Sequence, residues 1–344
     1  MTLLTTHNPI LPLPEATASE LMHIFIDQDT DALLVGACLA LLAQRVPEAH
    51  ELAAFADSLF EVAVPFPQVP EGAIDLVGTG GDGASTANLS TLTALFLSTL
   101  GVPVVKHGNR AATGVCGSAD LMEALGYDLS RAVSDLEADL RERRFAYLFA
   151  PAYHPLMGRL REIRRRLGIP TIFNLLGPLL NPGHPPLQVL GVAREELLAP
   201  MAGALAKRPS LRRAFVIHGK DAEGKGLDEA SVEGPTKVVA VAGGRVQAAQ
   251  VLVPRELGLV HPERNALRIA DRAEALAVAR GLLGGSRHAD FRPAVADAVA
   301  LQAALGLTLH RDGTLEDLGP LLREVRVTLD RGFALPFSVA GVNA

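Results

Sequence analysis

The stretch Gly78-Thr79-Gly80-Gly81-Asp82-Gly83 lies between an apolar segment, residues 73–77, and a segment of helical periodicity, residues 88–100. Glycines adopt positive φ and let backbone N–H groups approach an anion closely. The N-terminus of the following helix adds unpaired N–H donors and a partial positive charge. The order of strand, glycine-rich turn and helix therefore predicts an α/β fold with a phosphate-binding loop.

A dinucleotide-binding loop is the first alternative, because Gly78, Gly80 and Gly83 match the GxGxxG pattern. That fold places an acidic residue about 20 positions later, at the end of the next strand. Lys106 and His107 occupy this place instead. A cation where the ribose-binding carboxylate belongs favours additional phosphate over a nicotinamide dinucleotide.

A second glycine- and lysine-containing segment, residues 219–225 (GKDAEGK), has the spacing of a Walker A loop. Gly226 stands where that motif requires Ser or Thr, and no apolar helix follows. We therefore reject this segment as a nucleotide-binding loop.

The pattern changes on either side of residues 64–70 (VPFPQVP), where three prolines exclude a regular helix. Before this linker, apolar residues recur at helical spacing. After it, predicted helices at 88–100, 118–125, 130–144 and 155–167 alternate with predicted strands at 73–77, 102–105, 146–149, 214–217, 237–241 and 246–253. Such alternation indicates βαβ units and a mainly parallel sheet.

Composition excludes several classes of protein. Of 344 residues, 49 % are apolar, which is too many for a disordered chain, and the formal net charge of −6 argues against a dedicated nucleic-acid binder. The two cysteines, Cys38 and Cys116, cannot form a disulfide scaffold. No secretory signal is recognisable, and the longest apolar stretch, residues 33–43, is too short to span a bilayer. We expect a cytoplasmic protein without a membrane or nucleic-acid partner.

Further motifs follow the glycine loop in a fixed order. They are NLST (88–91), KHGNR (106–110), GSAD (117–120), FAPAYHP (149–155), RRRLG (164–168), FNLLGPLLNP (173–182) and GLDE (226–229). This set resembles anthranilate phosphoribosyltransferases of tryptophan biosynthesis, class III phosphoribosyltransferases related in fold to nucleoside phosphorylases. The resemblance covers about residues 15–260.

The resemblance implies a small all-helical domain hinged to a larger α/β domain with a mainly parallel central sheet. The helical domain is expected to be residues 1–68, joined by 155–183. The α/β domain is expected to be residues 69–154 and 184–344, and to bind phosphoribosyl pyrophosphate (PRPP). Mg²⁺ is the expected cofactor, and a homodimer through the helical domain is the expected assembly.

The implied reaction transfers the phosphoribosyl group of PRPP to anthranilate and releases pyrophosphate, with no enzymic nucleophile. Lys106 and the metal would stabilise the leaving group. The implied PRPP-binding residues are Gly78, Thr79, Gly80, Gly81, Asp82, Asn88, Ser90, Thr91, Lys106, Gly108, Thr113 and Cys116. The implied anthranilate-binding residues are Gly78, His107, Asn109, His154 and Arg164. The implied metal ligands are Ser90, Asp228 and Glu229, since hard oxygen ligands suit magnesium.

The segment after Arg110 departs from the family pattern. Where the family has a Ser-Ser-x-Ser-Gly stretch, this chain has residues 111–117 (AATGVCG), in which Thr113 alone keeps a hydroxyl. Backbone N–H groups can replace the missing hydroxyl contacts. Two alternatives stay open: a paralogue of the same fold with another acceptor, of phosphoribosyltransferase or nucleoside phosphorylase type, and a non-enzymatic nucleic-acid-binding relative.

Overall fold

Three helices precede a twisted sheet that carries helices on both faces. The computed structural model describes residues 8–111, 115–261 and 265–337. Within them the helices are α1 (Glu15–Ile26), α2 (Ala32–Leu42), α3 (Ala49–Phe60), α4 (Leu89–Thr99), α5 (Ser118–Ala124), α6 (Val133–Arg143), α7 (Ala150–Tyr153), α8 (Met157–Leu167), α9 (Ile172–Leu176), α10 (Leu198–Ala206), α11 (Arg272–Gly284), α12 (Pro293–His310) and α13 (Leu318–Leu329). The strands are β1 (Ile74–Gly78), β2 (Val104–Gly108), β3 (Phe145–Phe149), β4 (Leu187–Gly191), β5 (Arg213–Lys220), β6 (Gly226–Leu227), β7 (Thr236–Ala242), β8 (Arg245–Val246) and β9 (Gln250–Leu252).

Local sequence explains where the first helices begin. The Asp31 carboxylate accepts a hydrogen bond from the Leu33 N–H and so caps α2. Glu51 in the first turn of α3 accepts from the Glu48 N–H at 2.8 Å, and it forms a buried ion pair with Arg45. These contacts satisfy backbone donors that a helix N-terminus leaves unpaired.

The sheet has the order β3-β2-β1-β4-β5-β7-β8. The first five of these strands are parallel, whereas β7 pairs with β5 in the antiparallel sense. The chain adds strands outward from β1 to β3 and then returns to add β4 on the other side of β1. The gap between β1 and β4 is therefore the topological switch point, where ligands of open α/β sheets bind outside the carboxyl ends of the strands.

The alternation of side chains along the strands builds two hydrophobic cores, one on each face. On β4, Leu187 and Val189 face the core that contains α4, α12 and α13. Leu190 and Val192 face the second core, which also takes in the apolar faces of α1, α2, α3, α8 and α10. The two cores thus share the sheet, and α10 connects the helical segment to it.

The mixed α/β class and the mainly parallel sheet are confirmed, while several elements differ from expectation. The strand predicted at 246–253 is instead two short strands, β8 and β9, which pair separately with β7. Strand β2 begins two residues later than predicted and reaches Gly108, and α6 begins at Val133 rather than 130. Neither β4 nor α10 was predicted. The division into two domains stays a prediction.

The segment that carries Asp228 crosses the carboxyl ends of three strands, and a glycine lies at each crossing. A Cβ on Gly78 would lie 2.1 Å from Asp228 Oδ2, and one on Gly191 would lie 1.6 Å from the Asp228 carbonyl oxygen. A Cβ on Gly219 would lie 2.3 Å from the Glu229 carbonyl oxygen. Only glycine leaves room for backbone to approach backbone this closely.

Gly191→Ala is accordingly expected to lower the free energy of unfolding by about 2–4 kcal/mol, because backbone atoms must move to admit the methyl group. Urea unfolding followed by circular dichroism measures this change. Gly158→Ala is the control: its Cβ would meet nothing within 4 Å in α8, and alanine favours a helix. Equal unfolding midpoints for the two variants would contradict the steric role of Gly191.

Candidate active site

The glycine loop, residues 78–83, leaves β1 at the switch point. Gly80, Gly81 and Gly83 adopt φ of +66°, +82° and +65°, a region that favours glycine. The Gly80 N–H donates to Asp228 Oδ2 at 2.7 Å, and Asp82 Oδ1 accepts from the Ala84 N–H. Within the described residues, the N–H groups of Gly81, Asp82 and Gly83 have no hydrogen-bond partner. The loop therefore presents free donors at the edge of the sheet.

Two buried carboxylates lie beneath this loop. Burial raises the pKa of Asp228 well above its usual range, and the charges of Glu229 and Asp82 raise it further. Burial also raises the pKa of Glu229 to about 7, although Lys106 and a hydrogen bond from the Ser90 N–H oppose the shift. Asp82 Oδ2 is buried and has no partner among the described residues. The cluster holds more negative charge than its neighbours compensate.

Lys106, at 2 % exposure, places its charge inside the protein at the middle of β2. Its Nζ donates to the Leu76 carbonyl at 2.5 Å and to Ser90 Oγ at 3.3 Å. Burial lowers the Lys106 pKa, whereas Asp75 and Glu229 raise it. The ammonium therefore lies between β1 and the first turn of α4, and its direct contact with pyrophosphate stays a prediction.

Asn181 fixes the layer below Lys106, a role that the sequence did not reveal. Its Nδ2 donates to Asp75 Oδ2 at 2.9 Å and to the Val105 carbonyl at 2.8 Å. Its Oδ1 accepts from the Gly183 N–H. The only sequence signal was its place in FNLLGPLLNP, since the partners are 76 and 106 positions away.

The N-terminus of α4 holds the other predicted donor-site residues. Asn88 Nδ2 donates to the Cys116 carbonyl at 2.8 Å, which brings residue 116 to this helix end. Asn88 Oδ1 and Thr91 Oγ1 are buried without a partner in the described residues. A Cβ on Gly108 would collide with Ser118 Oγ and Tyr147, so β2 ends against α5. Thr79 bonds instead to the segment after β4, where its hydroxyl accepts from the Ala193 N–H. Thr113 lies outside the described residues.

The predicted acceptor residues form two contacts linked by one segment. The rings of His107 and His154 meet edge to face, with centroids 5.3 Å apart. Arg164 donates to Asn174 Oδ1 at 3.1 Å and lies over the ring of Phe173. Asn109 is exposed, and its Oδ1 accepts from the Arg110 N–H.

Residues 173–181 connect three of these groups, because Arg164, His154 and His107 each contact that segment. His154 Nε2 lies 2.9 Å from the Leu180 carbonyl, and His107 bonds to the Gly177 backbone. Burial, with His154 next to it, lowers the pKa of His107 to about 3, so this ring is neutral at pH 7. Burial also lowers the pKa of His154. Of the five predicted acceptor residues, Arg164 is thus the cationic one, whereas the two histidine rings are uncharged.

The raised pKa of Glu229 predicts a pH-dependent cost to stability. A carboxyl with a folded pKa of about 7 and an ordinary value of 4.5 binds its proton more tightly when folded. Below pH 4.5 the carboxyl is mostly protonated in both the folded and the unfolded protein, so it costs almost no stability. The cost of ionising it in the folded protein grows as the pH rises to 7. Glu229→Gln should raise the free energy of unfolding by about 3 kcal/mol at about pH 8 and leave it nearly unchanged at about pH 4.

Thermal and urea unfolding across this pH range measure the difference. Glu256→Gln, on an exposed side chain, is the control and should change stability by less than about 0.5 kcal/mol. A Glu229→Gln protein that is less stable than the parent at about pH 8 would contradict the assignment.

Among residues 8–111, 115–261 and 265–337, no helix has the length and apolar character needed to cross a membrane.

Comparison with known proteins gives a consistent result. A family profile described as "Glycosyl transferase family, a/b domain" matches residues 71–335. Anthranilate phosphoribosyltransferase of Synechococcus sp. (strain CC9902) is 42 % identical over 93 % of this chain and 88 % of its own. The crystal structure of the Thermus thermophilus enzyme aligns with a TM-score of 0.84 and 38 % identity, covering 96 % of both chains. The Saccharomyces cerevisiae enzyme, solved in complex with PRPP and Mg, aligns with a TM-score of 0.81 and 26 % identity, covering 96 % of this chain and 94 % of its own. On this evidence, together with the loop and carboxylates at the switch point, the chain belongs to the anthranilate phosphoribosyltransferase family.

Proposed function

We propose that this protein transfers the phosphoribosyl group of PRPP to anthranilate in a Mg²⁺-dependent reaction, giving N-(5-phosphoribosyl)anthranilate and pyrophosphate. The observation that carries the proposal is the juxtaposition at the switch point of free loop N–H groups with the buried carboxylates of Asp228 and Glu229. Donors suit phosphate oxygens, and carboxylates suit the cation that accompanies a pyrophosphate.

The glycine loop is the proposed pyrophosphate cradle. The N–H groups of Gly81, Asp82 and Gly83 are available, while that of Gly80 is held by Asp228. Pyrophosphate leaves as negative charge grows on it, so fixed donors that need no reorganisation stabilise the transition state more than the ground state. Lys106, whose ammonium donates to Ser90 Oγ, adds a positive charge below the loop.

Magnesium fits the residues present. Asp228 and Glu229 supply two buried oxygen donors, Ser90 supplies a third beside them, and Asp82 Oδ2 is buried nearby without a partner in the described residues. No group of three or more His, Cys, Asp or Glu side chains in the described part of the chain is arranged to enclose a metal. This suits magnesium, which is usually held by one or two carboxylates together with substrate phosphates. Once bound, the ion would offset charge on the departing pyrophosphate.

The acceptor is proposed to bind near Arg164, with His107 and His154 close by. A guanidinium matches a carboxylate in two parallel hydrogen bonds, and anthranilate carries one carboxylate. Phe173 and Asn174 hold Arg164 from two sides. The neutral rings of His107 and His154 add no positive charge next to the arylamine. Asn109, directly after β2, is proposed to hydrogen-bond to the acceptor.

A homodimer is the proposed assembly, through the segment of α1–α3. Leu33 is 81 % exposed on α2, and Ile169 after α8 is 40 % exposed. Contiguous apolar surface marks interaction sites, and we propose that these two side chains belong to such a surface.

The reaction is tested directly by mixing purified protein with anthranilate, PRPP and magnesium and following loss of anthranilate fluorescence, with and without a chelator. Chelator-sensitive loss supports the proposal. Absence of loss, with PRPP binding retained in calorimetry, would overturn anthranilate as the acceptor and keep the donor site.

Arg164→Ala should raise the KM for anthranilate about 10- to 100-fold and change that for PRPP less than about threefold, because one charge-assisted contact to the acceptor is lost. Arg165→Ala is the matched control, since its side chain is exposed and pairs with Glu162 on the same helix. Steady-state kinetics with each substrate varied in turn separate the two constants. Equal rises in both KM values for Arg164→Ala would refute the acceptor-site assignment.

A further inference from the structure

The turn between β5 and β6, residues 220–225, lies against the glycine loop. This segment has the spacing of a Walker A loop but lacks the Ser or Thr that the motif requires. In the structure it is a hairpin turn in which Gly219 pairs with Leu227 and Lys220 with Gly226. Its second lysine, Lys225, reaches the loop after β1.

Asp221 fixes the shape of the turn. Its Oδ1 accepts from the N–H groups of Glu223 at 3.0 Å and Lys225 at 2.8 Å, and its own N–H donates to the Lys225 carbonyl. The carboxylate is buried, and its Oδ2 lies 3.6 Å from Arg268 Nη2. The backbone of Lys225 is therefore held in one conformation.

A second carboxylate, that of Glu233, ties the turn to a neighbouring segment of the same chain. Glu233 Oε2 accepts from the Ala222 N–H, and its Oε1 accepts from the Ala266 N–H at 2.8 Å. The segment after Ala266 in turn bonds to the residues that follow the glycine loop. The Ala87 N–H donates to the Leu267 carbonyl, and the Ile269 N–H donates to the Ser85 carbonyl. Turn, segment and loop thus form one hydrogen-bonded unit.

The Lys225 ammonium lies above Gly83. A Cβ built on Gly83 would be 3.3 Å from Lys225 Nζ. Lys225 is exposed, and its ammonium makes no hydrogen bond or ion pair within the described residues. Lys220, on the opposite side of the same turn, pairs instead with Glu195 at 3.6 Å. A cation without a counter-ion is therefore held where the loop presents the free N–H groups of Asp82 and Gly83.

We propose that Lys225 is a substrate-binding residue that donates to a phosphate oxygen of PRPP at the Gly83 end of the loop. The inference rests on the proposed function, which it deepens by adding a second cation to the donor site from outside the recognised motifs. Lys106 is buried below the loop, whereas Lys225 approaches from the solvent side. The two ammonium groups would enclose the phosphates from opposite directions.

Calorimetric titration of magnesium–PRPP into the full-length protein tests the assignment without an acceptor. Lys225→Met should weaken binding about tenfold, because a charge-assisted hydrogen bond is lost, and Lys225→Arg should restore most of it. Lys220→Met removes the same charge from the same turn and should leave binding within about twofold. Equal weakening by the two methionine variants, or none by Lys225→Met, would overturn the proposal.

Two further titrations identify the phosphate concerned. If Lys225→Met loses affinity for magnesium pyrophosphate alone, Lys225 binds the leaving group. If it loses affinity for ribose 5-phosphate alone, Lys225 binds the 5-phosphate. Either result supports the proposal, and no loss with either ligand would overturn it. If the parent protein does not consume anthranilate while Lys225→Met still weakens PRPP binding, the proposed acceptor fails and the Lys225 assignment stands.

Discussion

The backbone at Asp228 lies against the glycine ends of β1 and β4, and the charged groups of the site take their positions from this contact. The close approach carries Asp228 and Glu229 over the switch point and under the glycine loop. Burial removes water from both carboxylates and raises the pKa of each; the charge of Glu229 raises that of Asp228 further, and the charge of Asp82 raises both. A fold that accepts this cost holds a site suited to a cation before any ligand arrives.

The positive side of the site depends on a second buried arrangement. Lys106 is desolvated, and Asp75 and Glu229 oppose the effect of that burial on its pKa. Asn181 binds Asp75 and the β2 backbone together, so the buried charges around Lys106 and the segment 173–181 are connected. Arg164, His107 and His154 rest on the same segment at other points. A shift of that segment would therefore alter the proposed donor and acceptor sites together.

The sequence predicted what is local and left unpredicted what is long-range. The glycine loop, its strand and its helix are adjacent in the chain, and their pattern identified them. Strand β4 is five residues long and lies between proline-rich residues 182–186 and a loop, so neither length nor periodicity distinguishes it. The requirement for glycine at 191 and 219 comes from contact with residues 228 and 229, which no spacing rule relates to them. Asn181 belongs to the motif FNLLGPLLNP, but its partner Asp75 lies 106 positions away.

The turn at residues 220–225 shows why a motif and its setting must be considered together. Walker A spacing acts through a helix N-terminus that follows the glycines, and here an antiparallel strand pair follows instead. The same residues still bring a lysine to the glycine loop, because Asp221 and Glu233 fasten the turn to the segment beside that loop. The loop follows β1 and the lysine belongs to the turn after β5, so the two halves of the proposed phosphate site come from different strands. What brings them together is the order of strands in the sheet, which sets β4 next to β1 and β5 next to β4.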